Sequence, residues 1–211
     1  MSASDKVAAF DLSGGHPALN LVNSLDNRFS SQGPAELLNG YEDLLRFMAQ
    51  SRLLDASQLQ LLSRTAKSAA AARALRAAKE LRETLATILY GMLKGCAPSA
   101  AELLRLQRYF QAAGLHRELA WRSTAGAVRR VSAQWQWGRF AKNSELPVWI
   151  LAQSAAELVL AGALQRVRAC DADTCRWLFL DTSKNASRRW CNMKVCGNRM
   201  KARRFQERHN P

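Results

Sequence analysis

Residues 170–209 run CDADTCRWLFLDTSKNASRRWCNMKVCGNRMKARRFQERH, and their cysteines decide how the chain is organised. Four of the five cysteines fall here, as Cys170-x4-Cys175 and Cys191-x4-Cys196, with fifteen residues between the pairs. Two close pairs around a hairpin-sized insert form the pattern of a tetrahedral Zn²⁺ site. Each knuckle presents two thiolates, and the insert turns the chain back to bring the second pair to the first. The apolar residues of this segment are chiefly Trp177, Leu178, Phe179, Leu180, Trp190 and Phe205, too few to fold it alone. A structural zinc contributes roughly 10–16 kcal/mol to such a unit. Sulfur at all four positions leaves no place for bound water, so one structural Zn²⁺ per chain is expected, with Cys170, Cys175, Cys191 and Cys196 as ligands. His209 lies thirteen residues past Cys196, roughly 20 Å along a helix, and is a poor rival. The competing reading, thiols or disulfides without metal, fits badly with a chain that opens on no secretory signal.

The run Cys191-Asn192-Met193-Lys194-Val195-Cys196-Gly197-Asn198-Arg199 resembles the signature of the bacterial CGNR zinc fingers, named for Cys-Gly-Asn-Arg. Trp177-Leu178-Phe179-Leu180-Asp181 and Ser187-Arg188-Arg189-Trp190-Cys191 are similar to other parts of that family's pattern. The resemblance implies a treble-clef-like, DNA-binding module at the end of a transcription regulator. Near the other end, Leu19-Asn20-Leu21-Val22-Asn23-Ser24 resembles the Leu-Asp-Phe-Val-Asn-Thr-like motif of the ABATE domain, which usually precedes a CGNR finger. That family is one of stress-induced bacterial transcription regulators. Asn20 stands where it has an acid, and Ser24 where it has threonine. The resemblance makes His16, Asn20, Asn23 and Arg28 candidates for binding a small-molecule effector, although Asn20 removes the charge such a role would use. The alternative for His16, Asn23 and Arg28 is helix capping and buried hydrogen bonding.

Charge supports a polyanionic partner. The chain carries 31 basic and 17 acidic residues, a net +14. Residues 166–211 hold twelve of the former and four of the latter, so +8 of the excess lies in under a quarter of the length. At 211 residues and 48% apolar, the chain is long enough for one sizeable core and a small appended module. Val148 to Leu164 is the most apolar later stretch, but it contains Gln153 and Glu157 and is short of a membrane span. A cytoplasmic protein is expected, with Cys96 a free thiol near a helix end.

Periodicity gives the rest. Gly14-Gly15 and Pro17 mark a turn, after which Leu19, Val22 and Leu25 form an apolar stripe at helical spacing. A helix is predicted from Tyr41, with Leu44, Leu45 and Met48 inward. Asp55 with Gln58 reads as a capping box for the next. Residues 66–94 are Ala-rich, with Leu75, Ala78, Leu81, Leu85, Ile88 and Met92 on one face and a Lys79–Glu83 pair outside. Ser99 with Glu102 starts another helix, expected to stop at Gly114. Then Leu115, Leu119 and Trp121, and Val131, Ala133, Trp135 and Trp137, alternate with polar residues around a turn at 123–126. This predicts a hairpin with one face on the helical core, its tryptophans being core rather than a base-stacking platform. Pro147 opens a helix with Trp149, Ala152, Ala156, Val159 and Leu160 along one stripe. Arg166-Val167-Arg168 predicts a strand into the first knuckle, with Trp177 to Leu180 returning antiparallel.

The expected fold is therefore α+β and mainly α-helical. A helical domain with a small β-hairpin spans residues 1–165, and a treble-clef-like four-cysteine zinc module ending in a basic helix spans residues 166–211. On that last helix Lys201, Arg204 and Arg208 share one side and Arg199 and Arg203 another, while Lys184, Arg188, Arg189 and Lys194 form a second basic group. These residues are the candidate DNA contacts. Asn198 and Arg199 are candidates either for base edges or for bracing the metal-bound sulfurs. The function this supports is a zinc-dependent DNA-binding transcription regulator whose helical domain dimerises or senses a ligand; an RNA- or protein-interaction module is the alternative. No G-x-S-x-G, P-loop or H-E-x-x-H motif is present and the three histidines are scattered, so an enzyme is not expected.

Overall fold

The computed structural model describes residues 9–123 and 131–209. Local chemistry sets most helix starts. Helix α1 (Pro17–Asn23) opens with proline in its first turn, and its cap His16 accepts from the Ala18 amide through Nδ1. Helix α2 (Tyr41–Gln50) follows Gly40, whose amide donates to the Asp43 carboxylate at 3.0 Å. Asp55 and Gln58 cap α3 (Ala56–Ser63) reciprocally, Ser68 caps α4 (Ala69–Leu93), and Ser99 with Glu102 caps α5 (Ala100–Leu115). Gly114 does not stop α5, which runs one residue further to a His116 cap. A glycine inside a helix costs only about 1 kcal/mol, which surrounding packing can offset.

Helix α6 (Leu146–Leu160) is the centre of the body, packed by α1, α4, α5 and α2. It is buried on every side from Leu146 to Ala152, and Leu160 is 77% exposed. The single stripe expected for it therefore gives way to burial all round, because four helices pack against it rather than one. A two-stranded ladder absent from the sequence reading, β1 (Leu25–Asp26) with β2 (Ala35–Glu36), brings Glu36 onto α4. There Arg82, 3% exposed, holds Glu36 through both guanidinium Nη atoms at 2.7 and 2.8 Å and Glu83 through Nε at 2.8 Å. Arg28 also pairs with Glu83. The expected Lys79–Glu83 pair is thus replaced: Lys79 reaches Glu36 at 3.3 Å and Glu83 serves two arginines.

The antiparallel hairpin of β3 (Glu118–Ser123) and β4 (Val131–Gln136) forms as expected, with Leu119 opposite Trp135 and Trp121 opposite Ala133. Most of the turn predicted at 123–126 lies outside the described residues. The predicted packing of this hairpin does not hold. Leu119, Trp121, Val131 and Trp135 are all more than half exposed. The core is reached by Trp137, just past β4, whose ring lies 6.5 Å from that of Trp149, and by His116, stacked on Trp149 at 3.7 Å. Alternation shows that a strand has an apolar face, but it does not say what covers that face.

Strands β5 (Val167–Ala169) and β6 (Leu178–Leu180) pair antiparallel, and helix α7 (Asn198–His209) ends the described chain. This C-terminal unit is seated on the helical body by polar bonds and shared core. The Asn23 side chain donates to the Leu178 carbonyl at 2.8 Å and accepts from the Leu178 amide at 3.0 Å, as a neighbouring strand would. The Leu180 amide donates to the Gly14 carbonyl, the Trp177 indole to Asp26, and the Tyr90 hydroxyl to the Arg176 carbonyl. Val167 and Leu178 belong to the same apolar cluster as the helices. Among the described residues no helix is long and apolar enough to cross a membrane.

Candidate metal centre and basic surface

The β5–β6 turn carries the first cysteine pair. The Cys170 amide donates to the Trp177 carbonyl at 2.8 Å, the Cys175 amide to Ala172 at 2.9 Å, and Arg176 takes a left-handed φ of 57° to close the knuckle. The second pair brackets a tight turn over Met193–Gly197 that leads directly into α7, with the Cys196 amide donating to the Asn192 carbonyl. All four sulfurs lie within 4.8 Å of one another; Cys175 and Cys191 are 3.6 Å apart, and Cys191 and Cys196 are 3.7 Å apart. A tetrahedron with Zn–S bonds of about 2.3 Å has sulfur–sulfur edges of about 3.8 Å. The donor set therefore fits one structural Zn²⁺, held by Cys170, Cys175, Cys191 and Cys196. Cys170, Cys191 and Cys196 are buried and Cys175 is half-buried, so the sulfurs have little water to solvate more than one negative charge. Hydrogen bonds from Cys175 and Cys191 hold the Cys170 thiol low. The Cys175 and Cys191 thiols are pushed up by their bonds to Cys170, and burial pushes up Cys196. A divalent cation supplies the charge that lets all four ionise together. His209 takes no part; its ring stacks on Phe205.

Asp181, fully buried just past β6, anchors the insert between the pairs. It accepts from the Ser183 hydroxyl at 2.6 Å, the Ser183 amide at 2.9 Å and the Arg188 amide at 3.0 Å, and the Ser183 bonds above all hold its carboxyl below the usual range. Sequence reasoning gave Asp181 no role, although an aspartate two residues before a serine is the local signal for such a turn. Arg188, expected as a DNA contact, also has partners within the fold. Its guanidinium lies 4.6 Å over the Phe179 ring and donates to the carbonyls of Trp190, Cys191 and Ser13. These contacts brace the second knuckle from behind through Nε and Nη2. Gly197 has an equally local cause. A Cβ there would collide with the Met193 sulfur and come within 3.2 Å of Trp190.

The remaining basic residues are at the surface. Arg199 leans back to Thr174 at 3.1 Å, and Arg203 pairs with Asp173 and Glu207. Arg189 pairs with Asp171 at 2.7 Å. The two-sided charge of α7 is thus divided: the Arg199–Arg203 side rests on the first knuckle, while Lys201, Arg204 and Arg208 are exposed with no ion pair among the described residues. Lys184, Lys194 and Asn198 are exposed as well. A cleft of about 310 Å³ separates this unit from the helical body, lined by Asp11, Asp26, Trp177, Asn192, Arg199 and the sulfur-bearing knuckles.

The N-terminal candidates have internal partners. His16 caps α1, Asn23 clamps Leu178, and Arg28 donates to Glu83 and the Val22 carbonyl. Asn20 is buried, and among the described residues its Oδ1 has no hydrogen-bond partner; it faces Gly14 so closely that a Cβ there would lie 2.5 Å away. His16, Asn23 and Arg28 thus make the capping and internal bonds that are the alternative to an effector-binding role.

Among curated proteins none matches the sequence. Comparison with known families places the CGNR zinc finger on residues 166–209. The ABATE family, described as "Putative stress-induced transcription regulator", matches residues 15–162. The chain belongs to the ABATE family and carries a CGNR zinc finger at its C-terminal end.

Proposed function

We propose that the chain is a zinc-dependent DNA-binding transcription regulator of the cytoplasm, in which the finger grips duplex phosphates and the helical body acts in dimerisation or effector sensing. One observation carries this reading: the last cysteine of the metal centre lies two residues before α7, and α7 turns Lys201, Arg204 and Arg208, without an ion pair among the described residues, to solvent. Cations already paired to carboxylates give up part of any gain on meeting phosphate, so Arg189 and Arg203 contribute less than these three. Lys184 and Lys194 extend the same positive field, and Asn198, exposed in the first turn, is the candidate for a base edge. For Arg199 and Arg188 bracing is the better reading. For an effector, the 310 Å³ cleft between body and finger is a better candidate than the His16–Arg28 group, whose polar atoms mostly serve internal bonds.

The test is an anisotropy titration of the zinc-loaded chain against random duplex DNA, with structured RNA as competitor and chelator as control. Replacing Lys201, Arg204 and Arg208 with Ala should weaken binding and flatten the salt dependence by up to about 0.9 log unit per lost phosphate contact. Unchanged affinity and slope, or stronger competition by RNA than by duplex, would count against the reading.

A further inference from the structure

We infer that the exposed face of the β3–β4 hairpin is the docking surface for a second copy of this chain, which stacks on it face to face about a two-fold axis. Leu119 and Trp121 from β3, and Val131, Ala133 and Trp135 from β4, point to one side of the ladder by its register. Trp121 is 72% exposed, Val131 62%, Leu119 56% and Trp135 55%. With up to about 250 Å² available on each tryptophan, the patch is on the order of 500 Å², near the upper end for a monomer and the kind that marks an interface.

The occupant follows from charge and shape. None of the five side chains is ionisable, and the chain carries a net +14. The two copies carry the same net charge, and with +8 of it in residues 166–211 they meet with least repulsion through a neutral patch on the helical body. A phosphate backbone, by contrast, would find no cation among these five. The pairing of Trp121 with Ala133 sets the largest side chain beside the smallest, and under a two-fold axis parallel to the strands each Trp121 faces the gap above the partner copy's alanine. The Arg117 guanidinium, 4.4 Å over the Trp135 ring and tied to Gln153, closes the rim, where arginine is enriched at interfaces. A stable interface removes about 800 Å² per partner, so this face supplies well over half and its rim the rest. A second layer also supports a two-stranded hairpin, which is marginal by itself.

Sedimentation of the zinc-loaded full chain over a wide dilution series, without nucleic acid, tests this. At the upper concentrations the mass should be near twice 23.5 kDa. A variant with Trp121→Ser and Trp135→Ser should be monomeric, its dissociation constant raised about a hundredfold or more. Ala133→Arg, which removes no packing within one chain, should do the same while secondary structure and zinc content stay as in the parent. Tryptophan emission of the parent should shift red on dilution, and that of the double variant should not. A parent that is monomeric throughout, variants that dimerise as well as the parent, or a monomer that binds a different protein through this face would each overturn the inference. The experiment contains no DNA, so its failure would leave the reading of the finger untouched.

Discussion

Replacing Asn23 with Ala tests whether the finger and the helical body fold as one unit. Asn23 is 3% exposed, and its amide satisfies both backbone groups of Leu178, itself fully buried. Alanine would leave a buried N–H and a buried C=O without partners, and no water can reach them without opening the junction. Each such loss costs about 1–3 kcal/mol, so the expected destabilisation is about 2–6 kcal/mol. That is a large share of the roughly 5–15 kcal/mol typical of a domain. Asn23→Asp should rescue little, because a carboxylate accepts from the Leu178 amide but repels its carbonyl. The assay is urea unfolding of the zinc-loaded chain, paired with amide exchange at Leu178 and Leu180. The midpoint should fall and protection at both amides should drop. A change below about 0.5 kcal/mol, with protection at Leu178 intact, would mean that the clamp is ornamental and that the seating rests on the shared apolar cluster alone.

Zinc removal should do more than loosen the finger. Val167 and Leu178 sit in the helical core, so chelation should lower the melting temperature of the whole chain by about 10 °C or more, and an unchanged melt would refute the coupling. Arg188→Ala should speed zinc loss to a chromogenic chelator, because it removes the braces on Trp190 and Cys191; a variant that holds zinc normally yet binds DNA poorly would return Arg188 to the phosphate contacts. Acid should destabilise through Glu36 and Glu83. Burial pushes both carboxyls up, but the bonds and charge of Arg82 on Glu36, and of Arg28 and then Arg82 on Glu83, outweigh it and hold them below their ordinary range. Their contribution is therefore full above about pH 4.3, the unfolded value, and is lost as pH falls through the lower folded values. Glu36→Gln should be less stable at neutral pH and show a flatter acid limb; an identical limb would remove Glu36 from the account.

The metal centre was legible because cysteine spacing is a covalent constraint: only a few residues separate the members of each pair, so proximity hardly depends on the rest of the fold. Helix starts were legible for the same local reason, as with Asp55–Gln58 and Ser99–Glu102. Long-range partners were not. Glu83 looked like a surface mate for Lys79 four residues away, and nothing local announces that Arg28, 55 residues earlier, reaches it instead. Arg188 looked like one more surface cation, since a guanidinium over a ring has no sequence spacing of its own. The hairpin's strands follow from their alternation, but that pattern reads the same whether the apolar face lies on the helices or, as here, turns away from them.

The seat of the finger has a mechanical consequence. From the end of α6 to the start of β5 there are six residues, part of them wound as a short 3-10 turn, and from there the chain is fastened at Asn23, Asp26 and Tyr90. So short and fastened a joint ties the finger to the tilt of the body, and a shift of the helices should re-aim the arginines of α7 as a lever moves its far end.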